Sequence, residues 1–228
     1  MSLLSLINRR RTFAFTTYFR PYIEDGDIIL DYGCGDGTLL SHIFLDCKRR
    51  GVKIGAFGYD PVDRGHSLYR NISIFHSLTE LPKKPYSLCL FIDVIHHMGK
   101  PGKASDRIVN ESVFQEFRKA LSLLSPRAGI LIKDYVISFS PLLAFFQRRV
   151  LAIKDTITNP KEVSKSLAYL TLHQWYQLFS EFNLILTTIQ DVPYLPLERV
   201  YENITGRPVL FLLERNHSRP SRSCFPQP

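Results

Sequence analysis

Cysteine is scarce in this sequence, and its placement suggests no chemistry. The four cysteines, Cys34, Cys47, Cys89 and Cys224, form no CxxC pair and do not cluster with histidine at ligand spacing. That argues against a zinc site and against a disulfide framework, so no metal is expected and a reduced, cytoplasmic compartment is the plainest setting. Long apolar runs are missing as well. A bilayer-spanning helix needs roughly 18 to 20 apolar residues, whereas the longest candidates here, such as LCLFI, have strand length; the expectation is a soluble protein without a transmembrane segment. No internal repeat is present, and the only low-complexity stretch is SRPSRSCFPQP at the end. Acidic residues are absent from the first 23 positions, which hold Arg9, Arg10, Arg11 and Arg20. With Arg215, Arg219 and Arg222 at the other end, these arginines carry most of the net charge of +8. Basic ends attract nucleic acid or an anionic membrane surface, and an acid-free, arginine-rich start is also the composition of a mitochondrial targeting segment. The plainer reading is an N-terminal helical segment over 1–24 that covers the sheet, and a solvated, disordered basic tail over 215–228.

What is present is enough for one compact α/β domain: 228 residues, 45% of them apolar, can bury a core without covalent or metal staples. After the turn-like EDGD come Ile28, Ile29 and Leu30, a run of buried-strand type, then the glycine-rich DYGCGDG over 31–37. From Thr38 to Arg50 the apolar Leu40, Ile43, Phe44 and Cys47 recur at helical spacing, closed by a basic turn and Gly51. Further strands are expected over VKIGAFGYD ending at Asp60, ISIF at 72–75, YSLCLFIDV at 86–94 and AGILIKDYVI at 128–137, with a helix at 109–124. A helical insert over about 140–182, interrupted at Asn159-Pro160, precedes two closing strands, LILTTIQ and PVLFLLE. Alternating strands and helices imply a doubly wound, Rossmann-like parallel sheet with helices on both faces. The two closing strands, joined without a helix, imply an antiparallel edge pair. The domain is bounded at 25–214.

In such a sheet the ligand lies beyond the carboxyl ends of the strands, beside the first strand, where DYGCGDG stands. A phosphate loop of the GxxxxGK[ST] type needs a lysine, and this loop has none. A dinucleotide turn needs GxGxxG; the glycines here are Gly33, Gly35 and Gly37, and the third position of that pattern is Thr38. Asp31 and Asp36 would also stand near a pyrophosphate, and two unit charges at ~5 Å repel by roughly 3 kcal/mol at an effective dielectric of 20. S-adenosylmethionine reverses that argument. It carries an ammonium, a carboxylate and a sulfonium but no phosphate, so a strand-end carboxylate attracts its amino group while glycine amides at the helix start approach its carboxylate. Asp60, 25 residues past Gly35 at the end of the second strand, is placed to accept hydrogen bonds from both ribose hydroxyls.

These residues resemble the class I S-adenosylmethionine-dependent methyltransferase family over roughly residues 25–214. ILDYGCGDG looks like the family's first motif, GYD like its second and LFIDVIHHM like its fourth. The resemblance implies a seven-stranded, mostly parallel sheet with an antiparallel last strand and S-adenosylmethionine as cofactor. It implies contacts to the methionine end from Asp31, Gly33, Cys34, Gly35 and Gly37, to the ribose from Asp60 with Pro61 beside it, and to the adenine from Ser77 and Leu78. Asp93, Val94 and Ile95 would wall the space near the methyl group. Two positions depart from the family pattern. The acid that often binds the adenine amino group is replaced by HSL at 76–78, and the frequent Phe-Asp before the fourth strand is Tyr86-Ser87.

Methyl transfer is an in-line substitution that is driven mainly by alignment, worth about 7 to 11 kcal/mol when well organised. A base is needed where the nucleophile must lose a proton, and Asp93, His96 and His97 follow the fourth strand where such a group belongs. The plain alternative is that the two histidines only shape the loop. Lys133 and Asp134 end the fifth strand and could also face the cleft. The Lys-Asp-Lys-Glu set of ribose 2′-O-methyltransferases is incomplete, because no lysine precedes the glycine motif, and no NPPY-like sequence follows the fourth strand. The insert, with Phe139, Leu142, Leu143, Phe145, Phe146, Trp175 and Phe179, is read either as a helix packed on the sheet or as an apolar acceptor pocket or membrane-facing lid. The acceptor expected is therefore a small or lipid-like molecule. Two alternatives stand beside it: an RNA methyltransferase using the basic termini, and a non-catalytic cofactor-binding subunit. The oligomeric state is not readable.

Overall fold

A computed structural model describes residues 16–62, 71–98, 106–158, 169–191 and 206–215. The expectations for residues 1–15 and for the tail beyond Arg215 lie outside the described residues. Along the chain the elements are β1 (Ile28–Tyr32), α1 (Thr38–Arg49), β2 (Gly55–Tyr59), β3 (Ser73–Phe75), β4 (Tyr86–Ile92), α2 (Asp106–Ser122) and β5 (Leu124–Ile137). They continue with α3 (Pro141–Thr158), β6 (Leu170–Thr171), α4 (Leu172–Glu181), β7 (Leu184–Asp191) and β8 (Arg207–Arg215).

The strands form one sheet in the order β3-β2-β1-β4-β5-β8-β7, with the two-residue β6 paired to β5. β1, β2, β3, β4 and β5 pair in parallel, whereas β8 runs antiparallel between β5 and β7. The antiparallel last strand is thus inside the sheet and β7 forms the edge. β1 has β2 on one side and β4 on the other, so the strand order reverses there and opens a crevice at the carboxyl ends of β1 and β4. The fifth strand starts earlier than its apolar run suggests. Leu124 pairs with Tyr86, and a register shift follows before Leu88 meets Gly129, which takes Pro126 out of the regular ladder and leaves α2 ending at Ser122.

Alternation along β5 divides the core. Ile130, Ile132 and Val136 face a cluster with Phe91, Phe117, Trp175, Phe179 and Phe211, while Leu131, Tyr135 and Ile137 face one with Phe19, Ile29, Leu40, Ile43, Leu151 and Leu210. Burial on both faces is why the sequence there is almost continuously apolar. A helical turn at 16–19 places Phe19 in the second cluster, and Arg20 ties the segment to α1 through Asp46 at 2.5 Å, with Arg50 on the same carboxylate at 3.0 Å. That pairing is why Asp46 sits below the usual carboxylate range despite its burial. α4 begins on a capping box, Thr171 accepting from the Gln174 N–H while the Gln174 side chain accepts from the Thr171 N–H. It buries Trp175, Leu178 and Phe179 against the sheet.

Candidate active site

The glycine loop is held by its own backbone. The N–H groups of Gly33 and Cys34 both donate to the Tyr59 carbonyl, at 2.6 and 3.1 Å, and the Gly37 N–H donates to the Cys34 carbonyl at 3.0 Å. Gly33, Gly35 and Gly37 all have left-handed φ, of 85°, 60° and 74°, so the alternating glycines serve three successive backbone requirements. Gly33 also has no room for a side chain: a Cβ there would lie 2.1 Å from Val94 Cγ2. Asp36 is exposed, and its Oδ1 accepts the Thr38 N–H at 3.0 Å. Its carboxylate therefore serves the start of α1, whose positive dipole end it complements.

Asp60 closes the loop from the other side. Its Oδ2 accepts the Gly35 N–H and its Oδ1 the Val62 N–H, each at 2.9 Å, and its own carbonyl lies 2.8 Å from Nδ1 of His76. Pro61, next along the chain, is exposed. Asp31 is buried near the end of β1. Burial, reinforced by the nearby Asp60 charge, raises its carboxyl to about 7. Cys34, partly buried beside both acids, has its thiol raised by burial above the ordinary range, which makes it unreactive at neutral pH.

Beyond β4 the chain turns at Asp93, whose φ of 54° is left-handed. Its N–H donates to the Lys133 carbonyl at 2.8 Å, and its Oδ1 accepts from Lys133 Nζ. Lys133 is 0% exposed, and its ammonium lies 4.5 Å from the Tyr135 ring. Val94 and Ile95 follow, Ile95 buried, and a 3-10 turn spans Ile95–His97. His96 is 3% exposed and its Nδ1 lies 2.7 Å from Oδ1 of Asp134 on β5, itself 1% exposed. Asp134 also accepts the N–H groups of His96 at 3.2 Å and Tyr135 at 2.8 Å. The His96 ring stacks on Tyr169, centroids 4.7 Å apart and planes at 16°, and the His97 ring lies 4.1 Å from it. The His97 N–H donates to the Val94 carbonyl.

The structure thus brings Asp31, Gly33, Cys34, Gly35, Gly37 and Asp60 into one loop system. It sets Asp93, Val94, Ile95, His96 and His97 at the end of the neighbouring strand. Ser77 and Leu78 stand after β3; Ser77 Oγ is 2.7 Å from Thr79 Oγ1 in a local turn, and Leu78 packs on the core. Tyr169 is the residue the sequence did not single out as a site residue; Asp134, expected only to face the cleft beside Lys133, gains its role from its contact with His96. The departure at Ser87 lies at the opposite end of β4, where its Oγ donates to Asp27 at 2.7 Å and accepts the Ile28 N–H, so it does not bear on the crevice.

The acidic set suits a cationic ligand with hydroxyls and suits no pyrophosphate: two buried carboxylates stand at the ends of β1 and β2, and one of them, Asp31, is raised by burial and by the nearby Asp60 charge. Comparison with known proteins agrees. A family model described as "Methyltransferase domain" matches residues 6–189. A search of curated protein sequences finds no match. Among solved structures, the chain is similar to a cyclopropane-fatty-acyl-phospholipid synthase-like protein from Lactobacillus casei at 14% identity and TM-score 0.59, covering 92% of this chain and 91% of that one. It is similar to the 1,6-didemethyltoxoflavin-N1-methyltransferase of Burkholderia thailandensis with bound 1,6-didemethyltoxoflavin and S-adenosylhomocysteine, at 11% identity and TM-score 0.57, over 91% and 79% of the two chains. A third is the magnesium protoporphyrin IX methyltransferase of Synechocystis with S-adenosylhomocysteine bound, at 10% identity and TM-score 0.55, over 95% and 89%. With the family model spanning most of its length, the chain belongs to the methyltransferase domain family and is a class I S-adenosylmethionine-dependent methyltransferase.

Proposed function

We propose that the enzyme methylates a small-molecule or lipid-like acceptor whose nucleophile must lose a proton, with His96 as the general base. The observation that carries this is the buried His96–Asp134 pair at 2.7 Å. An ionised carboxylate only accepts, so Nδ1 of His96 carries a proton, and in the neutral ring Nε2 is then the basic nitrogen. Asp134 is the positioning residue: with three donors on it, it fixes both the tautomer and the ring. Stacking on Tyr169 holds the ring from the side. The acceptor class is supported by the missing nucleic-acid signatures in the sequence. It is supported too by the small molecules named for structurally similar proteins, 1,6-didemethyltoxoflavin and magnesium protoporphyrin IX.

The cofactor, when bound, supplies an electrophilic methyl on a sulfonium. In our reading Asp31 attracts its ammonium, the amides of the Gly33–Gly37 loop at the start of α1 face its carboxylate, and Asp60, which holds Gly35, accepts its ribose hydroxyls. Cys34 and Pro61 flank those contacts, Ser77 and Leu78 stand where the adenine would lie, and Asp93, Val94 and Ile95 wall the methyl. Asp93 is pinned there by Lys133. His97 shapes the turn through its N–H to Val94. Transfer of labelled methyl from the cofactor into cell extract, fractionated into RNA, protein, lipid and small molecules, tests the reading. Label in the lipid or small-molecule fraction, lost with His96→Asn, is expected; label in RNA alone would overturn it.

A further inference from the structure

The most unusual surface of the molecule is α3. An amphipathic helix on a sheet turns its apolar stripe inward, and α4 does so. α3 does the reverse. Its inner side is Ala144, Gln147 and Leu151, all buried, and its rotation is fixed there: the Gln147 side chain accepts the Ser138 N–H at 2.7 Å, and the Ala144 N–H donates to the Ser140 carbonyl at 2.8 Å. Its outer side carries Leu142 at 69% exposure, Phe146 at 56% and Ile153 at 61%, flanked by Leu143 and Phe145, with Phe139 at 70% just before the helix. A contiguous apolar face of this kind marks an interaction surface.

We infer that this face docks on an anionic membrane surface, the helix lying in the interface plane. Charge supports that occupant. From Ser138 to the end of α3 at Thr158 the sequence holds Arg148, Arg149 and Lys154 against a single acid, Asp155, a net charge of +2. Arg149 is exposed within the apolar face, its guanidinium 5.2 Å from the centre of the Phe145 ring. That is the arrangement of an interfacial helix, where aromatic and aliphatic side chains enter the headgroup boundary and arginine remains at its level. A second copy of the chain fits less well. In a two-fold interface the same patch faces itself, which would set Arg149 against an equally basic surface. Among the described residues no helix is long and apolar enough to cross a membrane. The inference goes beyond the choice of acceptor and does not depend on it.

Co-sedimentation with vesicles of phosphatidylcholine alone and of phosphatidylcholine with 30% phosphatidylglycerol tests it on the full chain, about 1 in 3 lipids being anionic in the second set. Binding to the anionic vesicles at least ten-fold above the neutral ones is expected. Leu142→Ser/Phe146→Ser/Ile153→Ser should lower it ten-fold or more, and Arg149→Glu roughly five-fold or more. Each change is outward-facing, and circular dichroism and the melting temperature should be unchanged. As a control, Ile185→Ser/Ile189→Ser on exposed positions of β7 should leave vesicle binding intact. Absence of vesicle binding, equal loss in the control, or a concentration-dependent dimer that the α3 triple variant abolishes would each overturn the proposal. Vesicle binding without lipid methylation would leave docking standing and remove the lipid-like acceptor; lipid methylation without vesicle binding would do the opposite.

Discussion

Nδ1 of His96 and Oδ1 of Asp134 are 2.7 Å apart although 38 residues separate them in sequence. The contact forms because β4 and β5 are parallel neighbours whose register pairs Ile92 with Lys133, so the turn after β4 meets the next residue of β5. A base at this position contributes roughly 100- to 10,000-fold. His96→Asn should lower kcat by an amount in that range and leave cofactor affinity within about two-fold, since the histidine is not among the loop residues. Asp134→Asn should show the same split with a smaller loss. Turnover with the acceptor found by label transfer, set beside calorimetric titration of the cofactor, checks both; a fall in cofactor affinity matching the fall in kcat would assign the pair a structural role.

With Asp31 at the ammonium as proposed, cofactor binding should depend on pH. Its carboxyl is raised from 3.8 to about 7 by burial and by Asp60, so below that value the folded protein holds it protonated, and an ammonium ligand must displace the proton. Affinity should climb with pH up to about 7 and level off above, with proton release on binding measurable by calorimetry in buffers of different ionisation enthalpy. The stability sign is opposite. A raised carboxyl favours the fold fully below its unfolded value and loses that contribution as pH rises through the folded one. At pH 8 Asp31→Asn should therefore raise the melting temperature of the free enzyme by a few degrees while reducing cofactor affinity at least ten-fold. A flat affinity from pH 5.5 to 8 would remove Asp31 from the ammonium site.

Much of this site is local and therefore legible in the sequence. A strand, alternating glycines and a helix within DYGCGDG fix a turn and its charges through neighbouring residues alone, and Asp60 is found by asking where the next parallel strand ends. The Asp93–Lys133 and His96–Asp134 contacts span 40 and 38 residues. They needed the β4–β5 register, which apolar runs locate only to within a few residues because a buried parallel strand has no alternation to phase it. The signal that would have found them is that Asp93 and Asp134 each come one residue after the Ile92–Lys133 rung. The insert misleads for a different reason. Periodicity shows that a helix has an apolar side but not which way that side points, so Trp175 and Phe179 are core while Leu142 and Phe146 are surface.

Gly33 carries two constraints that can be separated by mutation. Its φ of 85° disfavours any side chain, and a Cβ would sit 2.1 Å from Val94 Cγ2. Gly33→Ala should cost about 1 to 3 kcal/mol from backbone strain plus the displacement of Val94, and should weaken cofactor binding by moving the loop. Adding Val94→Ala removes the clash and leaves the strain, so the double variant should recover part of the stability lost in Gly33→Ala. Chemical denaturation of the two singles and the double measures the coupling; strict additivity would mean that Val94 does not press on the loop.

Lys133 and Asp93 are coupled unequally, because the ammonium is fully buried whereas the carboxylate side chain is 19% exposed. Breaking such a pair destabilises by about 3 to 5 kcal/mol when the charge left behind is buried, and replacing both partners by apolar groups is often nearly neutral. Asp93→Ala takes the carboxylate from a lysine without exposure, and Lys133→Met leaves a carboxylate that reaches solvent. Asp93→Ala should therefore be the more destabilising of the two, and the double variant should be more stable than Asp93→Ala alone. On the proposed reading, in which Asp93 walls the methyl, the double variant should nevertheless transfer methyl poorly, because the Asp93 side chain and the Lys133 contact that held it are both gone; cofactor affinity and turnover measured on a variant of near-normal stability separate positioning from folding. Equal destabilisation by the two single changes would show that the exposure difference between the partners does not govern the pair.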